Sequence, residues 1–203
     1  IHAERDAKAE GQRNLTSARS LLRRMQRTIK HLKTFSSRRD ATPPQSVDAN
    51  LAIETAIDIV EPRAREHGVE IVYERGTSLP PVSGDAIRLE QVLINLLLNA
   101  VDASVAAGQG RIDVAAEISR TSLRISVSDM GQGISPEVRQ RLFEPFFTTK
   151  TTGEGLGLGL SISKTIIEEF GGKLNLVPMQ EGGTQASVEL ALYVEKKRQL
   201  EKA

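Results

Sequence analysis

The sequence predicts an α/β sandwich, in which helices cover one face of a mixed, mostly antiparallel sheet, and a long helix that precedes it. Three observations support this fold class. Apolar residues recur at helical spacing in four segments, short apolar runs with strand-like alternation lie between the later ones, and Thr42-Pro43-Pro44 separates the first helix from the rest. Because proline lacks an amide donor and disfavours helix in the residue before it, this tripeptide predicts a linker.

Composition limits the classes of function. A chain of 203 residues with 39% hydrophobic content can form one domain with a core, plus an appendage. Its 27 basic and 26 acidic residues give a net charge of +1, which offers no basic surface for nucleic acid or for an anionic membrane. The absence of cysteine excludes disulfides, thiolate metal sites and thiolate nucleophiles, and fits a reducing compartment.

Residues 1–40 are predicted to form an amphipathic helix, with a linker at 41–46. Six apolar residues at alternating spacings of three and four form a narrow seam of the kind that pairs with another helix. They are Leu15, Ala18, Leu22, Met25, Ile29 and Leu32. The seam favours a homodimer through residues 14–37, and packing against the following domain is the alternative.

A single domain is predicted over 47–195, followed by a polar tail at 196–203. Asp48 and Asp85 are placed to cap two helices, which Gly68 and Gly108 would end, and Pro62 is expected to kink the first of them. Helices are predicted at 49–66, 85–107 and 158–170, with a short helix from Pro136, and strands at 69–74, 112–118, 123–129, 174–177 and 186–192. The last two strands would form a hairpin with its turn at 181–183.

Asn95 and Asn99 lie in the middle of an otherwise apolar helix, LINLLLNAVDA. Being four residues apart, they share one face, and a buried amide without a hydrogen-bond partner costs about 1–3 kcal/mol. A magnesium ion held between phosphates would satisfy Asn99. Bonds from both side chains to neighbouring backbone are the alternative.

Asp129 ends a strand of alternating apolar residues and precedes the glycines of DMGQGI. Its carboxylate faces the core side and needs donors, which the exocyclic amino group of adenine could supply. Gly131 and Gly133 would let a flat base approach the backbone. An ordinary turn aspartate is the alternative.

The segment GEGLGLGLSIS places alternating glycines where a helix begins. Free amides at a helix start attract phosphate oxygens, while a flexible hinge is the alternative. The chain contains no GxxxxGK[ST] motif, which excludes a P-loop. Upstream lies FEPFFTTK, whose phenylalanines suit a lid that docks on a ligand and whose Lys150 could reach a phosphate; a core plug is the alternative.

These four patterns, in this order, resemble the N, G1, F and G2 boxes of the catalytic domain of sensor histidine kinases, within the wider family of gyrase, Hsp90 and MutL. The resemblance covers residues 45–195 and implies a Bergerat-type ATP-binding α/β sandwich. Helix 14–37 is similar to the second helix of the dimerisation and phosphotransfer hairpin. The segments HLKTF and EPRAREHGV most resemble those of dicarboxylate-transport sensors.

The resemblance implies roles for individual residues. Asn99 would ligate magnesium with support from Asn95, Asp129 would bind adenine, Phe143 and Phe146 would anchor the lid, and Gly155, Gly157 and Gly159 would hold phosphates. The full ATP-binding set is Asn95, Asn99, Asp129, Gly131, Gly133, Phe143, Phe146, Lys150, Gly155, Leu156, Gly157, Leu158, Gly159 and Thr184. Ala186 stands where the family often has an aromatic residue.

One residue type favours phosphoryl transfer over hydrolysis. In ATP hydrolases of the wider family, a glutamate four residues before the magnesium asparagine is the general base, whereas this chain has Asn95, which cannot take the proton. The acceptor histidine of sensor kinases lies in an HExxxP-like box, which this chain lacks, and neither His2 nor His31 is expected to replace it. His67 is expected to be an ordinary surface residue.

The sequence therefore predicts the cytoplasmic catalytic part of a sensor histidine kinase of an inner-membrane type. Its membrane segments would lie outside this chain. We expect it to bind ATP and Mg²⁺, to act on a histidine outside the chain and to have a response regulator receiver domain as partner. Two rival hypotheses remain: an ATP hydrolase of the gyrase or Hsp90 type, and a non-catalytic module in which nucleotide sets the geometry of a helical dimer.

Overall fold

A computed structural model describes residues 45–74, 79–150 and 156–195, all of which belong to one compact unit, residues 42–203. The predicted helix at 1–40 and the tail at 196–203 lie outside the described residues. The seven strands are β1 (Gln45–Val47), β2 (Glu70–Tyr73), β3 (Val82–Gly84), β4 (Arg111–Ile118), β5 (Ser122–Asp129), β6 (Lys173–Pro178) and β7 (Thr184–Ala191). The four helices are α1 (Ala49–Glu66), α2 (Ala86–Ala107), α3 (Pro136–Arg141) and α4 (Gly159–Glu169).

The main sheet has five strands in the order β2-β4-β5-β7-β6. The pair β2–β4 is parallel, and the other three pairs are antiparallel. The mixed, mostly antiparallel sheet is therefore confirmed, including the β6–β7 hairpin. Its register places Asp129, the last residue of β5, between Ile112 on β4 and Thr184 on β7.

The helix caps form as the sequence predicts. Asp48 accepts a hydrogen bond from the amide of Leu51 at 3.2 Å, and Asp85 accepts one from Arg88 at 2.9 Å. Gly108 ends α2 in the left-handed conformation. Helix α1 continues through Pro62 to Glu66, one turn beyond the proline.

One face of the sheet carries the core. Alternate residues of the two central strands are buried against helices, as strand periodicity requires. On β5 these are Leu123, Ile125 and Val127, and on β7 they are Ala186, Val188 and Leu190. Helix α2 is long and apolar enough to cross a membrane by length and composition alone, but it contributes eight buried residues to this core.

A second small sheet was not predicted. Strands β1 and β3 pair antiparallel over three residues each, and Val82 also bridges to Leu192. Three residues are too few to show an alternating pattern, and Gln45 and Ser46 are exposed and polar. The predicted linker at 41–46 thus overlaps the start of this pairing.

Candidate nucleotide-binding site

Asp129 lies at the end of β5 with only 6% of its surface exposed. Its Oδ1 accepts hydrogen bonds from the amides of Gly131 at 2.8 Å and Thr184 at 3.2 Å. Burial raises the pKa of this carboxyl, and the two amide donors partly offset that effect. Both bonds go to Oδ1, so within the described residues Oδ2 keeps its full capacity to accept a bond from a ligand.

Close backbone packing surrounds this carboxylate. A Cβ added at Gly131 would lie 2.8 Å from Asp129 Oδ1 and 2.9 Å from Ala103 Cβ on α2. Gly183 has φ +84, and a Cβ there would overlap the backbone carbonyl of Asp129. Only glycine fits at either position, so the loop after β5 meets α2 with bare backbone, and the turn before β7 meets the end of β5 in the same way.

Asn95 joins α2 to the start of α4. Its Nδ2 donates to the Oγ of Ser163 at 3.1 Å, and a Cβ at Gly159 would overlap its amide group. The partner of the Asn95 Nδ2 is Ser163, and the predicted support of Asn99 by Asn95 stays a prediction. The sequence reasoning missed Ser163, although a hydroxyl at a buried position of an apolar helix is a signal that could have found it.

Asn99 faces a cationic group. Lys150 Nζ lies 3.3 Å from Asn99 Oδ1 and 2.5 Å from Asp102 Oδ2. The Asn99 oxygen thus already faces a cation, as the oxygen ligand of a magnesium ion must. Among the described residues there is no group of three or more His, Asp or Glu that could hold a metal alone, so the further ligands of a magnesium ion here would be waters or phosphate oxygens.

The two predicted lid anchors differ. Phe143 is partly buried against the core, and Lys164 Nζ lies 4.9 Å from its ring centroid. Phe146 is 69% exposed, and its role as a lid anchor stays a prediction. Phe146 has φ +68, and its amide donates to the carbonyl of Gly157 at 2.9 Å. The backbone of Phe146 therefore contacts the glycine turn at Gly157.

The glycine-rich turn leads directly into α4. Gly155 lies outside the described residues, Leu156 is 42% exposed, and Leu158 is buried and serves as the N-cap. Leu158 makes no side-chain cap bond, so the amides of the first turn, which begins at Gly159, are available to an anion. Of the predicted phosphate-binding glycines, Gly157 and Gly159 are thus placed beside Phe146 and Asn95.

Helix α2 connects these parts. It contacts the start of α4 through Asn95, Lys150 through Asn99, and the loop after β5 through Ala103. The site therefore offers a buried acceptor at one end, and a metal-type oxygen with a lysine ammonium and free helix amides at the other. That order of groups suits a ligand with a polar base and a phosphate tail.

Residues 84–194 match the model of the family described as "Histidine kinase-, DNA gyrase B-, and HSP90-like ATPase". The chain belongs to that family. Among curated relatives of this family domain, the two-component sensor PprA of Pseudomonas aeruginosa is 38% identical over 78% of the chain and 18% of its own length. The C4-dicarboxylate transport sensor protein DctB of the same organism is 36% identical over 87% and 29%, and the sensor histidine kinase ZraS of Escherichia coli K12 is 35% identical over 75% and 32%.

Solved structures place the family domain among histidine kinase catalytic domains. That of histidine kinase ThkA is 33% identical with a TM-score of 0.66, covering 74% of this chain and 97% of its own. ThkA in complex with the response regulator protein TrrA is 30% identical with a TM-score of 0.69, covering 87% of this chain and 49% of its own. The chain spans less than a third of the length of the three curated relatives named above.

Proposed function

We propose that this chain binds Mg-ATP and transfers the γ-phosphoryl group to a histidine outside the chain, as the catalytic part of a sensor histidine kinase. The observation that carries this proposal is the buried carboxylate of Asp129, whose Oδ2 can accept a bond from a ligand. The glycines beside it present bare backbone instead of side chains. A hydrogen bond from the amino group of a base to Oδ2 would offset part of the free-energy cost of burying this carboxylate. The family match over residues 84–194 supports the same reading.

Each part of the site has a proposed role. Asp129 would accept a hydrogen bond from the exocyclic amino group of adenine. Gly131, Gly133 and Thr184 would line the surface against which the base packs. Asn99 would ligate magnesium, which neutralises phosphate charge when bound. Lys150 and the amides from Gly157 and Gly159 would position the phosphates, so catalysis would come chiefly from geometry and charge stabilisation.

Transfer is favoured over hydrolysis by the surroundings of Asn95. An amide stands at the position of the general base in hydrolases, and its Nδ2 is a donor to Ser163. On α2 no described residue within one helical turn of Asn95 is acidic; the nearest acids are Glu90, more than a turn before it, and Asp102, about two turns after it, and Asp102 is ion-paired. Water would therefore lack an activating carboxylate at the place where hydrolases supply one.

The partners and location are also proposed. The relatives are sensor proteins and ThkA is bound to a response regulator, which supports a receiver domain as the next phosphoryl acceptor for this chain. We further propose homodimerisation through residues 14–37 and a cytoplasmic location as part of a membrane-anchored sensor. The resemblance to dicarboxylate-transport sensors is supported by DctB among the relatives.

Calorimetry with and without Mg²⁺ tests the binding part. Asn99→Ala should lower Mg-ATP affinity about 10-fold or more while leaving affinity in EDTA within about 2-fold, because a lost ligand weakens only the metal-linked part. Asn175→Ala, on the exposed edge of β6, is the matched control. Equal losses with and without metal would refute the placement of magnesium at Asn99.

Supplying the missing acceptor helix in trans tests the transfer part. We expect acid-labile, base-stable phosphohistidine on the supplied helix and none on His2 or His31 when the chain is incubated alone. Steady phosphate release without phosphohistidine would instead identify a hydrolase, and neither product despite nucleotide binding would identify a non-catalytic module.

A further inference from the structure

A chain of three charged side chains crosses the edge of the site. Arg63 on α1 lies 2.7 Å from Asp102 Oδ1 on α2, and Lys150 lies 2.5 Å from Asp102 Oδ2. The roles assigned above use Lys150 but leave Asp102 and Arg63 without a function. Because Asp102 uses one carboxylate oxygen for each cation, its own orientation is fixed from two sides.

Asp102 also lies on the same face of α2 as Asn99. The two residues are three apart on a helix, so their side chains project side by side. The Lys150 ammonium contacts both, at 3.3 Å from Asn99 Oδ1 and 2.5 Å from Asp102 Oδ2. The carboxylate thus determines where the ammonium sits relative to the proposed magnesium ligand.

This arrangement has little value for global stability. The side chains of Lys150 and Asp102 are 32% and 27% exposed, and that of Arg63 is 45% exposed. Ion pairs with this much solvent access contribute little to folding. Their effect is local, because a lysine has a flexible four-carbon stem that spreads over many rotamers unless a partner holds its end.

We propose that Asp102 is a positioning residue for phosphoryl transfer, which holds the Lys150 ammonium beside Asn99 so that it meets the γ-phosphate, while Arg63 holds Asp102. This inference rests on the proposed function and deepens it. Electrostatics alone acts in the other direction, since a carboxylate near the phosphates opposes their binding. Loss of Asp102 should therefore leave nucleotide affinity unchanged or slightly tighter, and the transfer rate should fall.

A double-mutant cycle separates positioning from a structural role. In the full chain with saturating Mg-ATP and a supplied acceptor helix, Asp102→Asn should slow transfer about 10-fold and leave the Kd for Mg-ATP within about 3-fold, because a misplaced group affects the transition state more than binding. Lys150→Gln should slow transfer at least as much. The double variant should be no slower than Lys150→Gln, because Asp102 acts only through that lysine. Asp102→Glu, which keeps the charge, should recover part of the rate.

Deuterium exchange gives a readout that does not depend on catalysis. Amides in peptides covering 143–150 should exchange faster in Asp102→Asn and in Lys150→Gln, with no further increase in the double variant. The control is Glu61→Gln, which removes a different exposed ion pair, that of Glu61 with Arg65 at 2.7 Å on α1, and should change neither readout.

Two results would overturn the inference: slowing by less than about 2-fold in Asp102→Asn, or slowing by Asp102→Asn that is equally large when Lys150 is already Gln. Failure of the proposed function itself is distinguishable, because the wild-type chain would then bind no Mg-ATP or form no phosphohistidine.

Discussion

Replacing Asp129 by asparagine should separate stability from nucleotide binding. The change keeps the size of the side chain and keeps Oδ1 as an acceptor for the amides of Gly131 and Thr184. It removes the charge and turns the Oδ2 position into a donor, which would face the exocyclic amino group of adenine. Two donors then oppose each other where the wild type has a donor and a charged acceptor.

The expected loss of affinity follows from that one bond. A hydrogen bond to a charged group contributes about 1.5–3 kcal/mol, which corresponds to about a 10- to 150-fold increase in Kd. The same substitution should not destabilise the fold at neutral pH. Burial raises the pKa of Asp129 above its ordinary value of 3.8, so the ionised form is disfavoured in the folded state.

The pH dependence follows from the direction of this shift. A raised pKa in the folded state means that protonation of Asp129 stabilises the folded form, so the contribution of this group to stability is fully present below 3.8 and is lost as the pH rises through its folded-state pKa. Relative to the wild type, Asp129→Asn should therefore be at least as stable at pH 7. Its advantage should shrink as the pH falls through that window.

Calorimetric titration with Mg-ATP and thermal unfolding between pH 4 and pH 7 would check both halves. Asp113→Asn is the matched control, because Asp113 lies on the adjacent strand β4, has 47% of its side chain exposed, and forms an ion pair with Arg111. Affinity within about 3-fold of the wild type in a folded Asp129→Asn protein would refute the role of this carboxylate, since the loss of a hydrogen bond to a charged acceptor should cost more than that.

Two glycine substitutions give further predictions. Gly182 and Gly183 both have positive φ, so alanine at either should lower the free energy of unfolding by about 1–3 kcal/mol, but only at Gly183 does a Cβ overlap the carbonyl of Asp129. Urea unfolding should therefore show a clearly larger loss for Gly183→Ala, and equal losses would contradict the close approach of the two loops. Gly159→Ala should displace the Asn95 amide, so Mg-ATP affinity measured by calorimetry should fall while the melting temperature changes little; unchanged affinity would show that Asn95 can move without consequence.

The sequence predicted the elements well where a local signal exists. The caps at Asp48 and Asp85 and the left-handed Gly108 set the limits of α1 and α2, and all three are properties of a few adjacent residues. Strand alternation located β4 and β5 to within one residue. The parallel pairing of β2 with β4 had no such signal, because it joins segments separated by the whole of α2.

The candidate site shows the same limit. The motifs identified Asn95, Asn99 and Asp129, but the contacts of Ser163 and Asp102 depend on how α2 meets α4 and Lys150. The pattern also gave no sign of the positive φ of Phe146 or of its exposure. A sequence motif records which residue types recur, whereas these contacts depend on the tertiary position of each residue.

Helix α2 combines two requirements that act on different faces. Seven apolar residues hold it in the core, namely Leu89, Val92, Leu93, Leu96, Leu97, Ala100 and Val101. Asn95, Asn99 and Asp102 recur at i, i+4 and i+7, which places them on one stripe. Their partners are Ser163 on α4, Lys150, and Arg63 on α1. Because the apolar face fixes the rotation of α2 and its position along its axis, the residues of the polar stripe do not need to hold the helix in place. Truncations on the apolar face should therefore lower both the free energy of unfolding and the transfer rate. Isosteric changes on the stripe should instead alter Mg-ATP affinity or the transfer rate in a protein that still folds.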